Sequence, residues 1–158
     1  HWESAVDVME NLCERIVKLR IGIVLDKNDG ALLPILKVVK LGIASPLGSG
    51  KQYMSWIAIK DLISIFSWSL ENKNAEGVYN AVAPNPVTND AFMKATAKAI
   101  KKPYFLPKVP AFVMKVVLGE MSTLVLSSNR VSSEKLISQG FKFEYDHLAE
   151  ALQDILLD

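Results

Sequence analysis

The sequence predicts an α/β fold, and two observations carry the prediction. β-branched strand patterns alternate with amphipathic helical stretches of roughly 10–15 residues, which signals crossover units and argues against a helical bundle. The last third is helix-heavy, which suits a small α-rich lobe beside the strands. With 158 residues, 50% of them apolar, the chain has the size of one domain and material for a sizeable core.

The elements follow in order. Trp2-Glu3-Ser4-Ala5 reads as the interior of a helix that runs on through Val6, Val8, Met9 and Leu12. Residues 15–25 alternate as a strand buried on at least one face. Residues 26–30 make a turn, and 31–42 a helix with Pro34 tolerated in its first turn. A short strand over 53–57 precedes a helix over 61–72, whose Leu62, Ile63, Phe66 and Leu70 share one stripe. Residues 77–82 read as a buried strand stopped by Pro84 and Pro86. Thr88 or Asn89 then caps a helix with Phe92, Ala95, Thr96 and Ala99 inward, and lysines 98, 101 and 102 near its end. Two short helices are expected over 110–118 and 119–127, and another from Ser132 or Ser133 to Gly140, a good residue just past a helix. Residues 141–145 alternate as a strand. Asp146 caps a final helix with Leu148, Leu152, Ile155 and Leu156 on one side.

Composition narrows the function. Lysine plus arginine (18) nearly balance aspartate plus glutamate (17), so no basic field draws the chain to nucleic acid or anionic lipid. The apolar zone over 105–126 is interrupted by Lys108, Pro110, Lys115 and Glu120, short of the about 20 residues a membrane span needs. One cysteine, Cys13, excludes an internal disulfide, suits a reducing cytoplasm and is expected as a buried thiol. Two histidines, His1 and His147, and no cysteine pair exclude a zinc-type site. No phosphate cradle is visible. Gly48-Ser49-Gly50 has Tyr53 where a dinucleotide fingerprint needs its third glycine. As a Walker loop it fails at Ser45 and at Gln52. What remains is a flexible turn.

Two segments are more specific: Gly48-Ser49-Gly50-Lys51-Gln52-Tyr53-Met54-Ser55-Trp56-Ile57-Ala58-Ile59-Lys60-Asp61, and Asn80-Ala81-Val82-Ala83-Pro84-Asn85-Pro86-Val87-Thr88-Asn89-Asp90-Ala91-Phe92. They resemble the "GsGrQ..sWIhidDl" and "NavaPnPVtn.eF" stretches of atypical short-chain dehydrogenase/reductases of the nucleoside-diphosphate-sugar epimerase-like kind, in the C-terminal half of that family. The resemblance runs from Trp2 to Leu152 and implies a partial Rossmann-type sheet plus a small α-rich substrate lobe. It places the dinucleotide-binding half upstream of His1. Residues 1–82 then supply the end of the Rossmann-like sheet and 83–158 the substrate-lobe-like segment. NAD or NADP would be the cofactor of the full-length protein, a sugar nucleotide the substrate, and this stretch alone would be inactive. The alternative is a non-catalytic binding or scaffold protein that keeps the fold. Isolated, the chain is expected to self-associate through its N-terminal region, where strand 15–24 would lack its neighbour.

Candidate site residues follow. Arg20-Ile21-Gly22-Ile23-Val24-Leu25 resembles the family's "lRtGivL", whose following loop lies near the nicotinamide. Gly22 either lets a ligand approach the backbone or is a tight packing glycine. Arg20 either grips an anion or forms an ion pair at the sheet edge. Gln52 and Trp56 fall on one face of a strand, so an amide and an indole could line one cavity; the competing readings are a turn amide and plain core. Asn80 could hold its loop or reach a ligand. Arg130 resembles the "qrv.p.kl" segment that closes over substrate, where an anionic group is its natural partner; a solvated or capping arginine is the alternative. Asp61 reads as an N-cap. Ala58 and Lys60 stand where the pattern commonly has His and Asp, so any role of that histidine is lost. No general acid or base is visible: Tyr53, Tyr79 and Tyr145 lack a lysine four residues on, and Tyr104 has Lys108 there only across Pro107, which breaks the helical Y-x-x-x-K pattern.

Overall fold

Residues 13–110 and 127–157 are described by the computed structural model. The helix expected from Trp2 to Leu12 and the bodies of the two short helices expected over 110–118 and 119–127 lie outside them.

The β-branched run forms two strands in place of one, β1 (Val17–Ile21) and β2 (Ile23–Leu25). β1 runs parallel to β5 (Gly77–Ala81), with Val17 opposite Gly77 and Ile21 opposite Ala81. β2 runs parallel to β4 (Trp56–Ala58). The change of partner happens at Gly22. Its N–H donates to Ala81 O at 3.1 Å, while the next N–H, of Ile23, goes to Ser55 O at 2.8 Å. A Cβ at position 22 would stand 2.5 Å from Ser55 O and 2.7 Å from Val82 Cγ1. Close approach of the chain to its neighbours therefore accounts for this glycine. The strand expected over 53–57 is likewise divided: β3 (Tyr53–Met54) pairs antiparallel with β6 (Val87–Thr88), and β4 follows after Ser55.

Five helices complete the described fold: α1 (Leu32–Lys40), α2 (Ile59–Glu71), α3 (Asn89–Ala99), α4 (Glu134–Ser138) and α5 (Leu148–Leu157). Thr88 caps α3 by accepting the Ala91 N–H at 3.3 Å, and Gly140 ends the α4 region at φ +86°. Arg15 closes the C-terminus of α2, its guanidinium donating to Ser69 O and Leu70 O at 2.7 Å and to Ala75 O at 3.1 Å. A cation at the negative end of a helix is well placed.

Among the described residues three hydrophobic clusters divide the interior, a small one of Val39, Ala44, Met93 and Ala97 and two larger ones. One joins Leu25, Trp56 and Ala58 of β2 and β4 to Leu32 and Leu36 of α1, Phe92 of α3, and Leu148 and Leu152 of α5. The other joins Tyr79 and Ala81 of β5 to Leu62 and Ile65 of α2, Leu136 of α4 and Phe141. The inward faces expected for α3 and α5 are as predicted, with Ile155 and Leu156 packed against the first cluster. α2 differs. Leu62 is buried together with Ile65 and Ser69, but Ile63, Phe66 and Leu70 are 58%, 46% and 76% exposed. This helix is apolar on two sides, and the stripe read from spacing is mostly the outer one.

Two further expectations are corrected. Residues 141–145 do not form a strand, because their backbone donors have other partners: Phe141 N–H caps α4 through Leu136 O, while Glu144 and Tyr145 N–H point to the Asp61 carboxylate at 2.7 and 3.3 Å. Their alternating aromatics instead build an edge-to-face stack, Phe143 on Phe141 and Phe141 on Trp68. Cys13 is exposed, not buried.

Candidate functional site

Asn80 and Arg130 are tied to one irregular segment, residues 128–132, and Gly22 is linked to it only through Ser55. This segment is laid along Tyr53 of β3 and Ser55 by hydrogen bonds. Ser128 Oγ accepts the Tyr53 N–H at 3.0 Å, and Asn129 N–H donates to Tyr53 O at 3.1 Å. The Ser55 hydroxyl donates to Asn129 O at 2.7 Å and accepts the Val131 N–H at 3.0 Å. Ser55 is also the residue against which Gly22 packs. Asn80, at the carboxyl end of β5, donates its amide to Ser132 O at 2.9 Å. Arg130 is exposed and lies over the Tyr53 ring, its guanidinium carbon 5.1 Å from the ring centroid. Here a cation with planar donors rests on the aromatic face of a residue in the antiparallel β3–β6 pair. Tyr53 and Ser55 are the members that spacing missed. Their signal was their place inside the long Gly48–Asp61 motif.

Gln52 and Trp56 do not join this group. Gln52 is buried; its amide donates to Leu47 O at 2.9 Å and accepts from the Ser49 hydroxyl at 3.1 Å, which makes it the amide that folds its own turn. Trp56 is fully buried, and its indole N–H donates to Asn85 O at 3.0 Å. The shared cavity expected of this pair is thus taken up by internal hydrogen bonds. Arg20, also exposed, lies opposite Asn80 in the β1–β5 register.

Asp61 sits in the first turn of α2, whose N-cap is Ala58, so the capping role expected of it is corrected. Its carboxylate is 1% exposed and receives the two N–H groups of Glu144 and Tyr145. Burial pushes its acidity down and its pKa up, while those two donors pull the other way and lose. Next to it is a group that sequence spacing could not reveal. Lys60 Nζ lies 2.6 Å from Asp154 Oδ2 and 3.2 Å from the Tyr145 hydroxyl. That hydroxyl is itself 2.6 Å from Asp154 and 2.9 Å from Glu144 Oε1. The Asp154 hydrogen bond holds Lys60 well above its ordinary range, and the Lys60 hydrogen bond holds Asp154 below its own. Burial, followed by the bond to Asp154, pushes the Tyr145 phenol up to about 12. A phenol so held stays protonated near neutrality, and the cluster ties α2 to α5. The lysine standing where the family pattern has Asp has therefore become part of a structural ion pair.

Among the described residues no group of three His, Cys, Asp or Glu side chains could hold a metal. No helix among them is long and apolar enough to cross a membrane.

Comparison with known proteins gives the following. Residues 109–155 match the family described as a domain of unknown function, DUF1731. The chain is 37% identical to an epimerase family protein of Staphylococcus aureus over 98% of its own length and 51% of that protein's. The human epimerase family protein SDR39U1, crystallised with NADPH, superposes with a TM-score of 0.86 at 32% identity, over 91% of this chain and 49% of that one. A nucleoside-diphosphate sugar epimerase from Corynebacterium glutamicum superposes with a TM-score of 0.72 at 27% identity, over 98% of this chain and 29% of that one. The chain spans about half the length of the curated relatives it matches. These likenesses agree with the resemblance carried by the two long motifs and with the α/β fold it implies.

Proposed function

We propose that this chain, which is similar to the C-terminal half of epimerase-family proteins of the atypical short-chain dehydrogenase/reductase kind, serves as the substrate-lobe half of an NAD(P)-dependent sugar-nucleotide epimerase- or reductase-like protein. The observation that carries the reading is the exposed Arg130 over the half-buried Tyr53 ring, on the same 128–132 segment whose Ser132 carbonyl receives the Asn80 amide. Arg130 offers donors to a phosphate, Tyr53 a flat face to a base or sugar, and Asn80 an amide to a hydroxyl. In this reading residues 1–82 complete the dinucleotide-binding sheet and 83–158 cover the substrate. NAD or NADP belongs to the complete assembly. The chain by itself turns nothing over and binds the cofactor weakly, since a glycine-rich turn at a helix N-terminus is what grips the pyrophosphate. It also self-associates through its N-terminal region, 15–24.

Calorimetry tests this. UDP-glucose is expected to bind the chain weakly, and Arg130→Ala to abolish that binding. NADPH is expected to bind with a dissociation constant above about 10 µM. Tighter NADPH binding, or UDP-glucose binding indifferent to Arg130→Ala, overturns the reading. A second reading, a non-catalytic binding or scaffold protein, is favoured by the use of Lys60 in an ion pair and by Ala58 where the pattern has His. Transfer of hydride by a polypeptide that joins this half to a dinucleotide-binding half would dispose of it.

A further inference from the structure

Ser55 stands between two strands of different kind, after β3, which pairs antiparallel with β6, and before β4, which runs parallel to β2. The residue is buried, and its main chain is fixed from the β2 side. Ser55 O accepts the Ile23 N–H at 2.8 Å, and a Cβ at Gly22 would stand 2.5 Å from the same oxygen. Its hydroxyl spends a donor and an acceptor on the two residues that flank Arg130. It donates to Asn129 O at 2.7 Å and accepts the Val131 N–H at 3.0 Å. One side chain thus brackets one arginine. The guanidinium so held lies over the ring of Tyr53, its carbon 5.1 Å from the centroid. Ser128, Asn129 and Arg130 are exposed, so the bonds to Tyr53 and Ser55 carry much of their placement.

We propose that Ser55 is a positioning residue, whose hydroxyl holds Arg130 over Tyr53 and so aims the guanidinium at an anionic group of the ligand. The ligand class is that of the functional reading above, a nucleoside diphosphate sugar, and the inference rests on that reading. An arginine grips a phosphate with two parallel N–H donors, which demands a set orientation of a long, flexible side chain. Ordering it before the ligand arrives removes that cost from binding, and a buried anchor on a strand orders it better than a loop can alone. Without the hydroxyl, Asn129 O and Val131 N–H turn to water, because their segment lies at the surface. The fold then survives while the arginine loses its aim. Threonine, which keeps a hydroxyl on the same carbon, preserves the bracket.

The test follows Arg130 by NMR in the 158-residue chain, first without ligand and then during a titration with UDP-glucose. Protons held over an aromatic face resonate upfield, so the Arg130 side chain carries a shift that Tyr53→Leu removes. Ser55→Ala is expected to lose most of that shift and to weaken UDP-glucose binding by at least about 10-fold, the effect of one well-made hydrogen bond. Ser55→Thr should keep both. A hydroxyl that only stabilised the fold would lower the unfolding temperature of Ser55→Ala and leave the shift and the affinity where they are; that result overturns the proposal. So does a loss that Ser55→Thr fails to restore, or an unchanged affinity beside a lost shift. If the wild-type chain binds no UDP-glucose, the functional reading falls, and the ligand-free shift alone decides whether Ser55 places Arg130.

Discussion

The two larger hydrophobic clusters are built from similar residues but differ in closure. Around Trp56 the first is sealed by α1, α3 and α5, and Trp56, Phe92, Leu32 and Leu152 are all fully buried. Around Tyr79 the second is sealed by α4 and the Phe141 aromatic stack but not on the β1 flank, where Phe66 and Leu70 remain exposed. Apolar content does not separate the two regions; the number of elements placed on them among the described residues does. The difference shows that a strand and a helix can each be well formed locally while the layer they belong to stays open.

The largest expected effect is on the sealed side. Trp56→Ala removes a fully buried indole and its bond to Asn85 O, and should cost about 3–5 kcal/mol in denaturant unfolding, whereas Phe66→Ala on the open flank should cost under about 1 kcal/mol. Equal losses at the two positions would break the comparison.

At the junction between the regions, Gly22→Ala forces a methyl onto Ser55 O and Val82, and should cost about 1–3 kcal/mol. A neutral result would mean that the strands separate easily there, leaving the ligand-approach reading of this glycine as its explanation.

Asp61→Asn tests the stitch between α2 and residues 144–145. Exchanging one acceptor for an amide N–H opposite a backbone N–H should cost about 1–3 kcal/mol. Because burial raises the Asp61 pKa, its contribution to stability is fully present below the ordinary 3.8 and is lost as pH rises through the raised value; the variant should lack that loss.

The smallest effect is expected from Asp154→Asn, on the half-exposed pair with Lys60. Asp154 is held below 3.8, so its stabilisation is present above that pH and fades as pH falls through the lowered value. Lys60 and Tyr145 are raised, so theirs is present below 10.5 and 10.0 and fades on the alkaline side, for Tyr145 through about 12. Thermal unfolding across pH should therefore show wild type and variant converging in acid.

The sequence by itself determined the α/β alternation, the inner faces of α3 and α5, a cap at Thr88 or Asn89 and the turn residue at Gly140, because each is a local matter of period, capping chemistry or φ. Motif likeness also singled out Arg130 and Asn80 as candidates, and the structure sets both on or against residues 128–132. Only the tertiary structure decided which neighbour each half of the 15–25 run would take, and which of α2's two apolar stripes would face inward. It also set the backbone donors of 144–145 on Asp61 in place of a strand. It brought Lys60 to Asp154, which is 94 positions away in the chain. Such choices depend on which distant edge, face or charge arrives, and a local pattern holds no record of that arrival.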